Sequence, residues 1–204
     1  LDAAVASLKG YTFGGDFTAC QQIIDAINAA GTDSAAQAAI AAKLAGALHG
    51  AGYDAQKFLC AQLCLVGTEK QVPQLAPLLT DEKLSISALS VLAHLPGKAA
   101  DRALIDALGR TRGKVLAGII DAVAAHGDAA CAQEIVPFLK DKDIDAAHAS
   151  AGALGKLGGK TALDALTAAL ATAGNRTRVS IVNGLILAAE KAAAAATAPT
   201  PEED

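Results

Sequence analysis

The chain has 204 residues, of which 52% are apolar and only 3% aromatic, with no Trp and no Met. Its formal net charge of −4 and pI near 5.5 exclude a general nucleic-acid binder, which needs a basic surface to displace phosphate counterions. So few aromatics argue against one large core and for thin layers of Leu, Ile, Val and Ala stacked between alanine-rich helices. No apolar run reaches the ~18 residues expected of a membrane span, so no membrane insertion is expected. The chain opens at Leu1 without a basic-then-apolar leader, which reads as a processed mature chain or an excised module.

In chain order, residues 2–9 and 16–30 read as a degenerate helical hairpin, and 1–31 as an N-terminal cap on the rest of the helices. Between them, Tyr11-Thr12-Phe13-Gly14-Gly15-Asp16-Phe17 holds half of the six aromatics beside two glycines, which implies a tight loop. It is either a cap over the first hairpin or a recognition loop, and the cap is favoured because terminal repeats must cover apolar surface. Residues 34–49 and 53–66 form the next hairpin.

From residue 66 onward a turn recurs with a period of about 30 residues, the mark of a helical-repeat array. Its copies are Val66-Gly67-Thr68-Glu69, Pro96-Gly97-Lys98, His126-Gly127-Asp128 and Leu157-Gly158-Gly159-Lys160. Each turn should precede a first helix, near 71–79, 99–109, 129–140 and 160–173. Second helices should come after these, near 84–95, 114–126, 144–157 and 177–190. In the clearest unit, Asp128 is an N-cap, Asp141-Lys142-Asp143 a charged turn, and Ile144, Ala147, Ala151, Leu154 and Leu157 an apolar helical face ended by Gly158. Gly152 and Gly155 should permit close helix approach. Pro73, Pro77 and Pro137 fall inside first helices, which should be bent or start late. Residues 1–191 therefore read as one repeat domain, and 192–204, running from alanines into Pro, Thr and acid, as a tail or linker.

A proline in a short first helix, an Asp-rich turn and a Gly-terminated second helix together resemble HEAT-like repeats of the short bacterial type. The resemblance implies an all-α fold, an α-α superhelix or HEAT-like solenoid of about six helical hairpins. The segments Lys57-Phe58-Leu59-Cys60-Ala61-Gln62-Leu63, Ala107 to Lys114 and Ala153 to Gly159 look like HEAT-repeat regions of large exported bacterial proteins, in which such repeats often accompany a sugar-active or haem-carrying domain. The implied role is protein binding or scaffolding, in a periplasmic or extracellular setting. Ala61 stands where that family typically carries a basic residue.

Candidate chemistry is sparse. Gly159-Lys160-Thr161 imitates the end of a phosphate loop, but Leu154 occupies the place of its first glycine. Cys60 and Cys64 lie one helical turn apart without the companion Cys or His pair a metal site needs, and they read as small buried apolar residues. An exported chain would also allow a disulfide from Cys20 to Cys60 or Cys64. The four histidines, His49, His94, His126 and His148, are dispersed, and zinc needs three or four converging donors. A HEAT-like iron hydroxylase would display His-Glu pairs, and the chain has no His-Glu dipeptide. A chromophore-lyase type of HEAT-like enzyme would need an apolar pocket that few aromatics can furnish. No catalytic residue, metal or cofactor is therefore assigned, and the chain is expected not to be an enzyme.

One feature calls for a function. Arg110-Thr111-Arg112-Gly113-Lys114 and Asn175-Arg176-Thr177-Arg178 place cations at helix starts, where they oppose the helix dipole at a cost of up to about 1 kcal/mol each. Either they pair with acidic turns such as Asp141 and Asp143, or they form a row that holds an acidic protein segment or an anionic glycan. The candidate partner-binding set is Lys57, Arg110, Arg112, Lys114, His148, Arg176 and Arg178. The expected function is a non-catalytic protein-interaction module, with a structural spacer between domains as the other reading.

Overall fold

A computed structural model describes residues 1–95 and 97–197, and these are all-α, with no strand among them. The chain forms two compact units, residues 1–111 and the chain from Arg112 onward. The fold is the HEAT-like helical repeat expected, and the helices succeed one another in pairs along the chain.

The first unit contains α1 (Asp2–Ser7), α2 (Thr18–Ala30), α3 (Ser34–Ala47), α4 (Tyr53–Val66), α5 (Val72–Leu75), α6 (Ser85–Leu92) and α7 (Lys98–Leu108). The second contains α8 (Gly113–His126), α9 (Ala132–Ile135), α10 (Ile144–Leu157), α11 (Gly159–Thr172) and α12 (Asn175–Thr197). Each core is a stack of aliphatic side chains. Leu44, Leu59, Leu63, Leu75 and Leu104 are fully enclosed in the first, and Leu116, Ile119, Leu154 and Leu166 in the second. No aromatic side chain is needed to fill layers this thin.

Prolines shape the first helices. The segments expected as single helices over 71–79 and 129–140 are instead runs of short pieces. Glu69–Gln71 and Ala76–Thr80 are 3₁₀ turns flanking α5, and Ala129–Cys131 and Val136–Lys140 flank α9 in the same way. Pro77 has no N–H to reach the carbonyl four residues back, and Pro137 none to reach Gln133, so the chain tightens into 3₁₀ geometry there. Pro73 is tolerated in the first turn of α5, where its missing donor would have had no partner. α7 and α11 contain no proline and are regular.

The turns are held by short polar side chains. The Asp81 carboxylate accepts from the amides of Lys83 (2.8 Å) and Leu84 (2.9 Å) ahead of α6, and these bonds hold its carboxyl below the usual range. Asp143 caps α10 by accepting from the Asp145 amide at 3.0 Å. Thr68 and Gln71 form a capping box. Glu69 reaches into the following repeat, where its carboxylate accepts from the Ala99 amide at 3.2 Å in the first turn of α7. Gly97, at φ 117°, leaves the room: a Cβ there would overlap the Glu69 carboxylate.

α10 and α12 cross at near-minimal separation. A Cβ on Gly155 would lie 2.8 Å from the Gly184 carbonyl oxygen, and one on Gly184 only 2.4 Å from that of Ala151. Gly152, expected to share this role, has nothing within 4 Å of a would-be Cβ and lies off the contact. α12 also runs further than the expected end at 190, through Ala192–Ala196 to Thr197. Residues 198–204 of the expected tail lie outside the described residues. With its alanines helical, α12 is long and apolar enough to cross a membrane by length and composition, which corrects the expectation that no segment is. In the fold its Ile181, Gly184 and Ala188 are buried, on the side that packs on α10 and α11.

Candidate partner-binding surfaces

In the first unit, three of the six aromatics converge although they lie in two separate stretches of sequence. Tyr11, Phe17 and Phe58 form a triangle with ring centroids 6.3–6.5 Å apart, in the tilted and edge-on arrangements that aromatic quadrupoles favour. The Phe13 amide donates to the Asp54 carboxylate at 3.0 Å, and Asp16 accepts from the Thr18 amide and hydroxyl. The loop 11–17 is thereby fastened to the start of α4, while the Phe13 side chain stays 89% exposed.

Cys20, Cys60 and Cys64 are not disulfide-bonded in the structure, so it does not contain the expected bridge from Cys20 to Cys60 or Cys64. Cys20 lies near Tyr11 instead, and burial raises both groups above their usual pKa. Burial, with a smaller contribution from Cys64, pushes the Cys60 thiol up to about 12. Such thiols are inert apolar filling rather than nucleophiles.

Beside the aromatic triangle lies an outward strip made by α4 and α6, which pack on each other. Along α4 the spacing of four residues brings Tyr53, Lys57, Ala61 and Leu65 onto one side, all exposed. Tyr53 receives two cations, with Lys57 Nζ 5.5 Å and Lys83 Nζ 5.9 Å from its ring centroid. Leu65 is 67% and Ile86, in the first turn of α6, 53% exposed. The strip thus combines exposed large apolar side chains with two cations held over Tyr53. Of this set only Lys57 was among the residues expected from sequence. Lys83 and Ile86 belong to no motif, and their relation to Tyr53 is purely tertiary.

The remaining expected residues divide between the units. Arg110 is exposed at the end of the first. In the second, α8, α10 and α12 lie side by side in sequence order. Arg112 and Lys114 stand exposed at the start of α8, and Arg176 and Arg178 at the start of α12. His148, half-buried on α10, places Nε2 2.9 Å from the Arg176 carbonyl, so the ring helps to fix α12 rather than facing outward. Asp141 and Asp143 accept backbone amides of their own turn. Lys160 pairs with Asp164 at 2.7 Å, and Gly158 and Gly159, both at positive φ, shape the turn that resembled a phosphate loop. Among the described residues no group of three or more His, Cys, Asp or Glu is placed to hold a metal ion.

A family profile for HEAT repeats matches residues 102–185. No curated protein matches the chain. Among solved structures, human deoxyhypusine hydroxylase in complex with glycerol is similar at a TM-score of 0.52 and 15% identity, over 93% of this chain and 96% of that one. An engineered protein is similar at a TM-score of 0.49 and 18% identity, over 93% and 96%. The hydroxylase corrects one expectation, that the chain is not an enzyme. An enzyme is built on a fold of this kind, so the fold gives no ground for that reading. The helices, the repeat profile and the likeness to the hydroxylase agree that this chain has a HEAT-like helical-repeat fold.

Proposed function

We propose that the chain is a protein-interaction scaffold whose α4 and α6 surface takes an acidic, amphipathic segment of a partner protein. The observation that carries this reading is Tyr53, exposed and flanked by Lys57 and Lys83 on a strip continued by Leu65 and Ile86. An amphipathic helix laid on such a surface buries its apolar side on the aliphatic residues and sets its carboxylates against the lysines. An anionic glycan would use the cations but not Leu65 or Ile86. The exposed cations Lys114, Arg176 and Arg178 of the second unit support a ligand of the same charge.

A phage-displayed library of random peptides selected on the purified chain tests the proposal, with Tyr53→Ala/Lys57→Glu/Lys83→Glu as the control. Enriched peptides should combine Asp or Glu with apolar residues at helical spacing. They should lose at least about tenfold in affinity on the control, as the loss of a central aromatic anchor implies. Equal binding to both proteins, or no enrichment, would overturn it.

A further inference from the structure

α12 carries two apolar faces, and the fold uses one. Ile181, Gly184 and Ala188 are buried. On the far side Val179, Val182, Ile186, Ala189 and Ala193 repeat at spacings of three and four, and this stripe is centred roughly 150° around the helix from the buried one at 100° per residue. Val179 is 66%, Val182 37% and Ile186 51% exposed. Spacing that alternates three and four is the seam of a two-helix coiled coil, narrower than the face with which a helix lies on a lipid surface or a globular core.

We propose that this seam pairs antiparallel with the same helix of a second copy of the chain, on a two-fold axis level with Gly184. In that register Val182 faces the partner's Ile186 and Val179 the partner's Ala189, each twice by symmetry. On the flank, Arg176 falls against the partner's Glu190, again twice, and Asn183 meets its own counterpart at the axis. A parallel pairing instead sets Glu190 against Leu185 and leaves both charges unmatched, so charge complementarity selects the antiparallel dimer. The contact runs over residues 175–193, about 28 Å of helix. It buries on the order of 1,000 Å² in total, just under the range of stable dimers. The dimer is therefore weak, with Kd on the order of tens of micromolar.

Sedimentation velocity of the full chain across that concentration range tests the proposal, with vesicles of mixed phosphatidylcholine and phosphatidylglycerol as a separate arm. The native chain should pass from monomer to dimer. Ile186→Glu, at an exposed position, should leave the melting curve intact and abolish the dimer. Arg176→Glu and Glu190→Arg should each weaken dimerisation about tenfold, and R176E/E190R together should restore it. A chain that stays monomeric at every concentration overturns the proposal, as does a monomer that floats with the vesicles, which would assign the stripe to lipid. Dimerisation indifferent to Ile186→Glu overturns it too, and failure of the double variant to recover overturns the antiparallel register.

Discussion

One substitution, glycine to alanine, should have opposite consequences at two glycines of the α10–α12 pair. Gly152→Ala adds a methyl with nothing within 4 Å, so only the intrinsic gain in helix propensity remains, about 1 kcal/mol. Gly184→Ala has the same intrinsic gain but puts its Cβ 2.4 Å from the Ala151 carbonyl oxygen and 3.3 Å from Leu166 Cδ2. Neither the carbonyl nor α12 can move alone. Relief requires the two helices to separate by nearly an ångström along their contact, an overpacking cost at or above the top of the usual range, about 3 kcal/mol. The net effect is a loss of about 2 kcal/mol, the difference between that cost and the propensity gain. For a chain of this length the melting temperature should rise by roughly 2–4 °C in the first variant and fall by roughly 4–8 °C in the second. Thermal and urea denaturation followed by circular dichroism read both. A Gly184→Ala protein as stable as its parent would show that the helices do not approach as described.

Leu154→Ala, at a fully enclosed side chain of α10, should cost about 2–5 kcal/mol through lost burial and the cavity left behind, measured in the same urea titration. Iodoacetamide at pH 8 should leave Cys60 unmodified in the native protein, since a thiol raised to about 12 is almost wholly protonated there. All four cysteines should react in denaturant without reductant, and mass spectrometry reporting only two labels would place a disulfide in the chain. Asp81 has a folded pKa lowered by the two amides it accepts. Its stabilising contribution is thus full above the ordinary aspartate pKa and is lost as the pH falls through the folded value. Asp81→Ala should accordingly flatten the acid limb of a stability-against-pH curve.

The repeat was legible because its punctuation is local. Glycines at the turns, Asp caps and prolines in the first helices act within a few residues, and their spacing is visible in one dimension. The α4–α6 strip was only partly legible. Lys57 could be marked from its helix position, but Lys83 and Ile86 reach Tyr53's surroundings through the packing of α6 on α4, which no short motif encodes. The cations at the starts of α8 and α12 were found from the dipole argument. His148, placed with them by sequence, braces the Arg176 backbone instead. Two misreadings have simple causes. Gly152 and Gly155 differ by three positions, and only Gly155, four residues after Ala151, continues the buried stripe. The alanines after Lys191 looked like the beginning of a linker because they come after the last apolar side chain, whereas alanine's own preference extends α12 over them.

The Glu69 carboxylate makes the array's cooperativity partly ionic. Most repeat-to-repeat coupling in such stacks comes from aliphatic contact, which salt does not screen. Here the first turn of α7 takes its cap from a residue some 30 positions upstream, in the preceding pair. If that pair frays, α7 loses an anion at its positive end as well as its packing partner. High salt should therefore loosen the join between these two repeats before it loosens either repeat internally, making it the point at which the first unit comes apart in steps rather than at once.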